Sequence, residues 1–318
     1  MSDTSVGRAG DRTWLIAVAA SLWGLSSLLR EPLSQELPAL TVVLAEHVVL
    51  VLLVLPWVVP AVRALSRSSI RARLGVLVIG GGSSALATVM FTAAFRIGDP
   101  ITPQVLQKLQ PVLAIVLAAV LLHERVTSRF SVFAVPAIVG AWLLAFPDPF
   151  GVGLSSLGAA ALAVGAAALW AAGTVLGRLV SAELSFLHLT TLRFTVGLVT
   201  LAVLATVTQT SPAVPLALVP RLIALAAVPG LLALVLYYIA LRQTPASRAT
   251  LAELAFPVTA AAVGVAFLDG RLDTSQWLGF AVVLASVVLL ALHERRAARP
   301  AVAVPDHVDD AITVPTRV

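Results

Sequence analysis

Four ionisable side chains fall deep inside runs that are otherwise apolar: Glu46, Lys108, Arg193 and Glu253. If those runs cross a bilayer, each charge costs at least ~2.5–3.5 kcal/mol at the centre and needs a partner, a cavity or a substrate to justify it. Depth along each run sorts them. Glu46 and Lys108 lie in from one side of the membrane, Glu46 by roughly 12 Å at 1.5 Å per residue, and Arg193 and Glu253 lie in from the other. The expectation is two ion pairs, Glu46 with Lys108 and Arg193 with Glu253, one on each side of the midplane. Such pairs could act as an outer and an inner gate, the alternative being static staples between helices.

The neighbours of these charges strengthen a cavity reading. Gln104, Gln107, Lys108 and Pro111 recur at i, i+3, i+4 and i+7, which is one helix face, and Thr250, Glu253 and Pro257 repeat that pattern. A polar face on a membrane helix must look at a cavity or another helix. Each proline also cancels the hydrogen bond to the carbonyl four residues earlier, so the carbonyls of Gln107 and Glu253 are expected to be free. Trp23 and Trp170 lie deep enough to line the same space, whereas Tyr237 and Tyr238 read as interfacial aromatics. His47, beside Glu46, is the side-chain type that ordinarily exchanges protons near neutral pH, which makes the proton a candidate coupling ion. The run Gly80-Gly81-Gly82-Ser83-Ser84 and the pair Pro229-Gly230 break the pattern at corresponding places, so Gly81, Gly82, Pro111, Pro229, Gly230 and Pro257 are the candidate hinges. The competing reading for the glycines is close helix packing through small residues, as in Gly173-xxx-Gly177.

The elements that must hold these residues are membrane helices. The 318-residue chain is 59% apolar and 12% charged, with a mean hydropathy of +0.99. Soluble domains carry about 25% charged residues, so an all-α integral membrane protein is expected. Apolar runs are placed at 13–30, 38–60, 74–95, 103–122, 129–146, 155–178, 187–207, 220–241, 248–268 and 275–293. The first run is not a cleaved signal, because only Trp14-Leu15-Ile16 precedes its Ala17-Val18-Ala19 triplet. Residues 86–131 lie on residues 232–277 without a gap: Leu86 meets Leu232, Arg96 meets Arg242, Pro111 meets Pro257 and Arg125 meets Arg271. Two five-helix repeats follow, at 13–147 and 154–294, with tails at 1–12 and 295–318. An odd number of spans per half makes the repeats inverted. With the N-terminus inside, fifteen of the 21 basic residues fall in cytoplasmic segments, and only Arg30, Arg96, Arg221 and Arg271 fall outside. Both termini and the basic loop Arg63–Arg73 are therefore expected in the cytoplasm.

Several functions are disfavoured by what is missing. There is no cysteine, so no thiol nucleophile, disulfide or cysteine metal site. The glycine run lacks a following Lys-Ser/Thr, and no zinc-protease or nucleophile-elbow pattern occurs, so no cofactor or metal is expected. The pI near 10.9 does not point to nucleic acid, because the arginines are scattered through short loops.

Leu254-Ala255-Phe256-Pro257-Val258, then Gly270-Arg271-Leu272 and Gln276-Trp277-Leu278-Gly279, resemble the closing helices of the ten-helix EamA type of the drug/metabolite transporter superfamily. Gln110-Pro111-Val112-Leu113 and His123-Glu124-Arg125-Val126 give a weaker copy in the first half. Leu22-Trp23-Gly24, Leu169-Trp170-Ala171 and Leu192-Arg193-Phe194 are similar to recurrent motifs of that family. Two positions depart from it: Gly270 replaces a glutamate, and Glu46-His47 replaces Arg-Phe. The resemblance implies a secondary transporter, expected to export small polar or amphiphilic metabolites such as amino acids by alternating access, from a bacterial inner membrane, as a monomer or homodimer. Two cations and two anions within one site would suit a zwitterion. A membrane-embedded enzyme or a channel are the alternatives; the first would need a catalytic cluster and the second like-charged or carbonyl rings.

Overall fold

The computed structural model describes residues 12–98, 100–121, 130–146, 148, 150, 154–241, 244, 252–253 and 255–297. Every regular element among these residues is helical. Helix α1 (Thr13–Gly24) runs into α2 (Ser26–Glu36), and α3 (Ala39–Leu53) breaks at Val54 into α4 (Leu55–Ser66). Helix α5 (Ile70–Leu77) passes through a π-helical stretch, Val78–Leu86, into α6 (Ala87–Ile97). Helix α7 (Thr102–Leu106) tightens at a 3₁₀ turn, Gln107–Leu109, before α8 (Gln110–Leu121). The first half closes with α9 (Phe130–Ala145). The second half comprises α10 (Leu154–Val180) and α11 (Phe186–Val207), then α12 (Val219–Leu225), a π-helical stretch Ala226–Leu232, and α13 (Ala233–Leu241). It ends in α14 (Ala255–Phe267) and α15 (Thr274–Ala297).

Among the described residues four continuous helical segments are long and apolar enough to cross a bilayer: Ile70–Ile97, Ser156–Gly177, Phe186–Val207 and Leu216–Ala240. The pair α3 and α4 passes the same test but is bent by 88°. Hydropathy had placed one straight run at 38–60. It had also ended the first run at Arg30, whereas α2 continues to Glu36 and carries Arg30 into the interior, 6% exposed. At the other end α15 extends to Ala297, so the helix reaches past residue 295, where a tail was expected. The tail residues 1–11 and 298–318, His123-Glu124-Arg125, Arg242 and Thr250 lie outside the described residues.

Both π-helical stretches fall where the sequence has its weak points. Gly80-Gly81-Gly82 lowers the helical preference of the first, and Pro229 cannot donate a backbone bond in the second. They end at Leu86 and Leu232, the pair matched by the repeat. The first stretch seats on α11: a Cβ at Gly80 would come within 2.5 Å of Val196, and one at Gly81 within 3.2 Å of Thr200. Gly80 and Gly81 thus allow close helix approach, while Gly82 has no neighbour nearer than 3.8 Å. Gly173 packs against Ser83, as a small-residue contact should, but Gly177 faces open space.

The largest apolar cluster gathers Ile101, Val105, Leu106, Ala137, Leu144, Ala163, Ala261 and Val283. Within it α9 and α15 meet through glycine, since a Cβ at Gly279 would stand 2.5 Å from the Gly140 carbonyl oxygen. These two helices are repeat counterparts, and other contacts recur between the halves in the same way. Trp23 packs on Tyr237 with ring centroids 5.1 Å apart, and Trp170 packs on Phe91 at 5.2 Å. Trp170 is the counterpart of Trp23, and Tyr237 that of Phe91. Each half thereby places its first helix against the third long helix of the other.

Candidate substrate site

Helix α3 carries the first acid into the interior. Glu46 is 4% exposed and is gripped by Arg30, whose Nη2 lies 2.8 Å from Oε1. The other terminal nitrogen of Arg30 donates to Thr92 Oγ1 at 2.8 Å, so α2, α3 and α6 are tied at one level. Glu46 therefore does not pair with Lys108, and the expected outer pair is replaced by Arg30–Glu46. The physical reason is lateral: α2 lies beside α3 and brings a cation that hydropathy had placed in a loop. His47 completes the layer. Its Nδ1 lies 2.9 Å from the Val43 carbonyl, which can only accept, so Nδ1 carries a proton. In the neutral ring Nε2 then accepts from the Ser84 hydroxyl, 3.0 Å away in the first π stretch. The imidazole also meets Phe194 edge-on at 6.2 Å and fits against α11 because residue 197 is glycine.

The second acid has a different setting. Glu253 is half-buried on the turn before α14 and accepts a 2.5 Å hydrogen bond from the Tyr237 hydroxyl. Tyr237 in turn leans on Trp23, so its hydroxyl holds a carboxylate beside an aromatic wall. The second expected pair is also absent: Arg193 makes no ion pair with Glu253, and the only ion pair among the described residues is Arg30–Glu46. The cation within the field of Glu253 is Lys108, whose Nζ sits 4.3 Å above the Phe256 ring. Gln104, fully buried, donates to the Gly24 carbonyl at 3.4 Å and leaves its own carbonyl oxygen unpaired. Gln107 is half-buried in the 3₁₀ turn. Arg193 keeps a buried Nε without an acceptor.

The prolines do not leave carbonyls empty. The Gln107 carbonyl accepts from the Gln110 N–H, and the Glu253 carbonyl accepts from the Phe256 N–H at 3.1 Å. Both halves repair the bond lost at Pro111 and Pro257 with the same i→i+3 contact, which tightens the chain just before each proline. Pro257 and Pro229 are buried, and Gly230 faces Leu50 and Glu46 from the second π stretch. Gly270, where the family was expected to carry glutamate, is buried after Asp269 (φ 51°). Its N–H bonds the Gly264 carbonyl at 2.9 Å, and a Cβ would crowd that same oxygen.

Lys108, Gln104, Glu253, Tyr237, Trp23 and Phe256 thus converge from α1, α7–α8, α13 and α14. Glu46 belongs to a separate buried layer. Trp170 lines the corresponding place in the other half, against Phe91. Arg30, Thr92 and Ser84 escaped sequence reasoning. A signal did exist, because an unneutralised Glu46 and His47 called for partners from neighbouring helices.

Apolar spans, reciprocal halves and a polar cluster held between them, helical throughout the described regular elements, fit a multi-pass membrane protein. Residues 13–146 and 157–292 each match the EamA-like transporter family, and the chain belongs to that family. It is 27% identical over 257 residues to the riboflavin transporter ImpX of Fusobacterium nucleatum subsp. nucleatum, covering 77% of this chain and 85% of that protein. The fold is also similar to a protein of known crystal structure, with a TM-score of 0.60 and 17% identity, covering 90% of this chain and 99% of that one.

Proposed function

We propose that this protein is a secondary transporter that exports small amphiphilic metabolites across a bacterial inner membrane by alternating access. Its ten spans would form two inverted five-helix halves with both termini in the cytoplasm. The observation that carries this reading is the reciprocity of the halves. Trp23 on Tyr237 answers Trp170 on Phe91, and matched π-helical stretches flank the α3 layer. Irregular helix at matched positions supplies the strain and freedom that rocking halves need.

With Glu46 neutralised by Arg30, the groups left for substrate are Lys108, Glu253, Gln104 and the rings of Trp23 and Phe256. That favours a substrate with an aromatic or apolar body and both donors and acceptors. An aromatic zwitterionic amino acid meets the description. A second reading, a flavin, is favoured by the same aromatic wall together with the riboflavin transporter among the relatives. Purified protein in proteoliposomes, preloaded with either compound, should exchange one of them for external label. Lys108→Gln and Trp23→Ala should lose that exchange. Exchange of neither compound, by protein that remains folded, would overturn the substrate class. The proton remains the candidate coupling ion, tested by imposing a pH gradient in the same vesicles.

A further inference from the structure

Helix α4 is not explained by transport. It turns 88° away from α3, so if α3 stands across the bilayer α4 lies along its surface. Its inner side is committed to the protein: Ala61 is fully buried, and Ala64 and Leu65 pack against Val76, Ile79, Val180, Leu184 and Leu192. A second stripe, Leu55, Val59 and Val62, is spaced i, i+4, i+7 and is 55%, 57% and 48% exposed. Beside it a third stripe carries Arg63 and Arg67, with Arg71 following on the first turn of α5, all exposed.

The charges at this end are not balanced within the protein. Arg73 is occupied, donating to the carbonyls of Ser66 and Ser68. Glu183, the acid tied to this loop, is occupied by the backbone N–H and hydroxyl of Ser69. The side chains of Arg63, Arg67 and Arg71 have no hydrogen bond or ion pair among the described residues. A helix with one side on the protein, one apolar stripe and one arginine stripe at right angles to a span fits the interface, where the apolar stripe meets acyl chains and the arginines meet headgroups. Guanidinium groups suit phosphate oxygens because they donate in a fixed fork.

We infer that α4 with Arg63, Arg67 and Arg71 is an interfacial anchor that binds the phosphate headgroups of anionic phospholipids in the leaflet at this end of the protein. It rests on the family's membrane placement, not on the proposed substrate, so transport assays and lipid assays can fail separately. That leaflet is the cytoplasmic one in the proposed topology.

The absence of cysteine makes the test direct. Val59→Cys, labelled with a fluorophore, is reconstituted as the full chain in vesicles of phosphatidylcholine with or without phosphatidylglycerol. Brominated lipids then report depth. Quenching is expected to be strongest for bromines near the headgroup and to fall several-fold for those near the chain ends. Phosphatidylglycerol is expected to be enriched around the protein at least threefold by energy transfer from labelled lipid, and Arg63→Gln with Arg67→Gln and Arg71→Gln should abolish the enrichment. Excess inorganic phosphate should not compete; equal competition would make this a free-anion site and overturn the lipid assignment. Strongest quenching at the bilayer centre would mean that α4 spans, and no quenching, with cross-links to another protein instead, would mean a docking face. Should the triple variant misfold, the parent's lipid enrichment alone decides, because equal partition of the two lipids refutes the anchor.

Discussion

Glu46 and Glu253 are two intramembrane acids in opposite halves, and the protein treats them in opposite ways. Glu46 is shut in, 4% exposed, with a guanidinium on one oxygen and a threonine behind that guanidinium. Glu253 is half-buried, held by a single phenol, with Lys108 close enough to feel its charge but resting on a ring. The first arrangement is charge-neutral and joins three helices, although Glu46 Oε2 and Arg30 Nε keep no hydrogen-bond partner. The second leaves an acid and a cation with capacity for a further partner. One half thus encloses its acid with a guanidinium, the other leaves its acid on a single phenol, and an acid in an apolar helix is informative only after its partner is known.

Removing the Glu46 charge gives the sharpest test. Glu46→Gln strands Arg30 in the interior, and breaking a buried pair from one side costs about 3–5 kcal/mol. The variant should unfold at much lower temperature or denaturant in detergent. Replacing both partners with Met should restore most of that loss, because an apolar pair of similar volume is often neutral. Rescue of Glu46→Gln by Lys108→Gln instead would reinstate the pairing expected from depth alone.

Glu253→Gln should do the reverse. A hydrogen bond to a charged group is worth about 1.5–3 kcal/mol, and if substrate is what uses that charge the loss is about tenfold or more in apparent affinity. Uptake measured against substrate concentration should show that loss, while the unfolding midpoint moves far less than for Glu46→Gln. Equal destabilisation by the two variants would erase the contrast between the halves.

Gly197→Ala tests the buried Glu46 layer from its other side. The added methyl would stand 2.9 Å from the His47 ring, and overpacking of this kind costs about 1–3 kcal/mol. His47→Ala in the same background should recover part of that stability, since it removes the atoms the methyl meets. Independent losses from the two changes would mean that the ring moves aside.

The helical class, the four spans near 74–95, 155–178, 187–207 and 220–241 and the two weak points at 78–86 and 226–232 were legible, because hydropathy and helix breakers act along the chain. Trp23 and Trp170 were legible as counterparts because the repeat preserves their spacing. The partners of Glu46 and Glu253 were not. Depth says which residues share a level, but not which helices are neighbours, and Arg30 was hidden because Arg30-Glu31 reads as the end of a span. The bend at Val54 had a local signal, Pro56, which cannot donate to the Leu52 carbonyl, but its angle depends on how α4 packs on α11 and α5, which hydropathy does not show. The freed carbonyls failed for a local reason, since a 3₁₀ bond from the next available N–H costs less than a bare carbonyl in lipid.

The smallest effect is expected at the loop beside α4, where Ser69 donates both its N–H and its hydroxyl to Glu183. Those bonds favour the ionised carboxylate and hold it below the ordinary glutamate range, although the group is exposed and salt weakens the interaction. A depressed value in the folded protein means that the tie contributes fully above the unfolded glutamate value and is lost as pH falls through the lower, folded one. Glu183→Gln should therefore lower the unfolding midpoint slightly at pH 7, and the difference from the parent should shrink as the pH is taken below the ordinary carboxylate value. High salt should shrink it too. Transport should be unchanged, because the tie joins the Arg67–Ser69 turn to the 181–183 turn and touches neither acid of the interior. A difference that persists at low pH would show that the glutamate acts here through packing, and that the loop is held by something other than its charge.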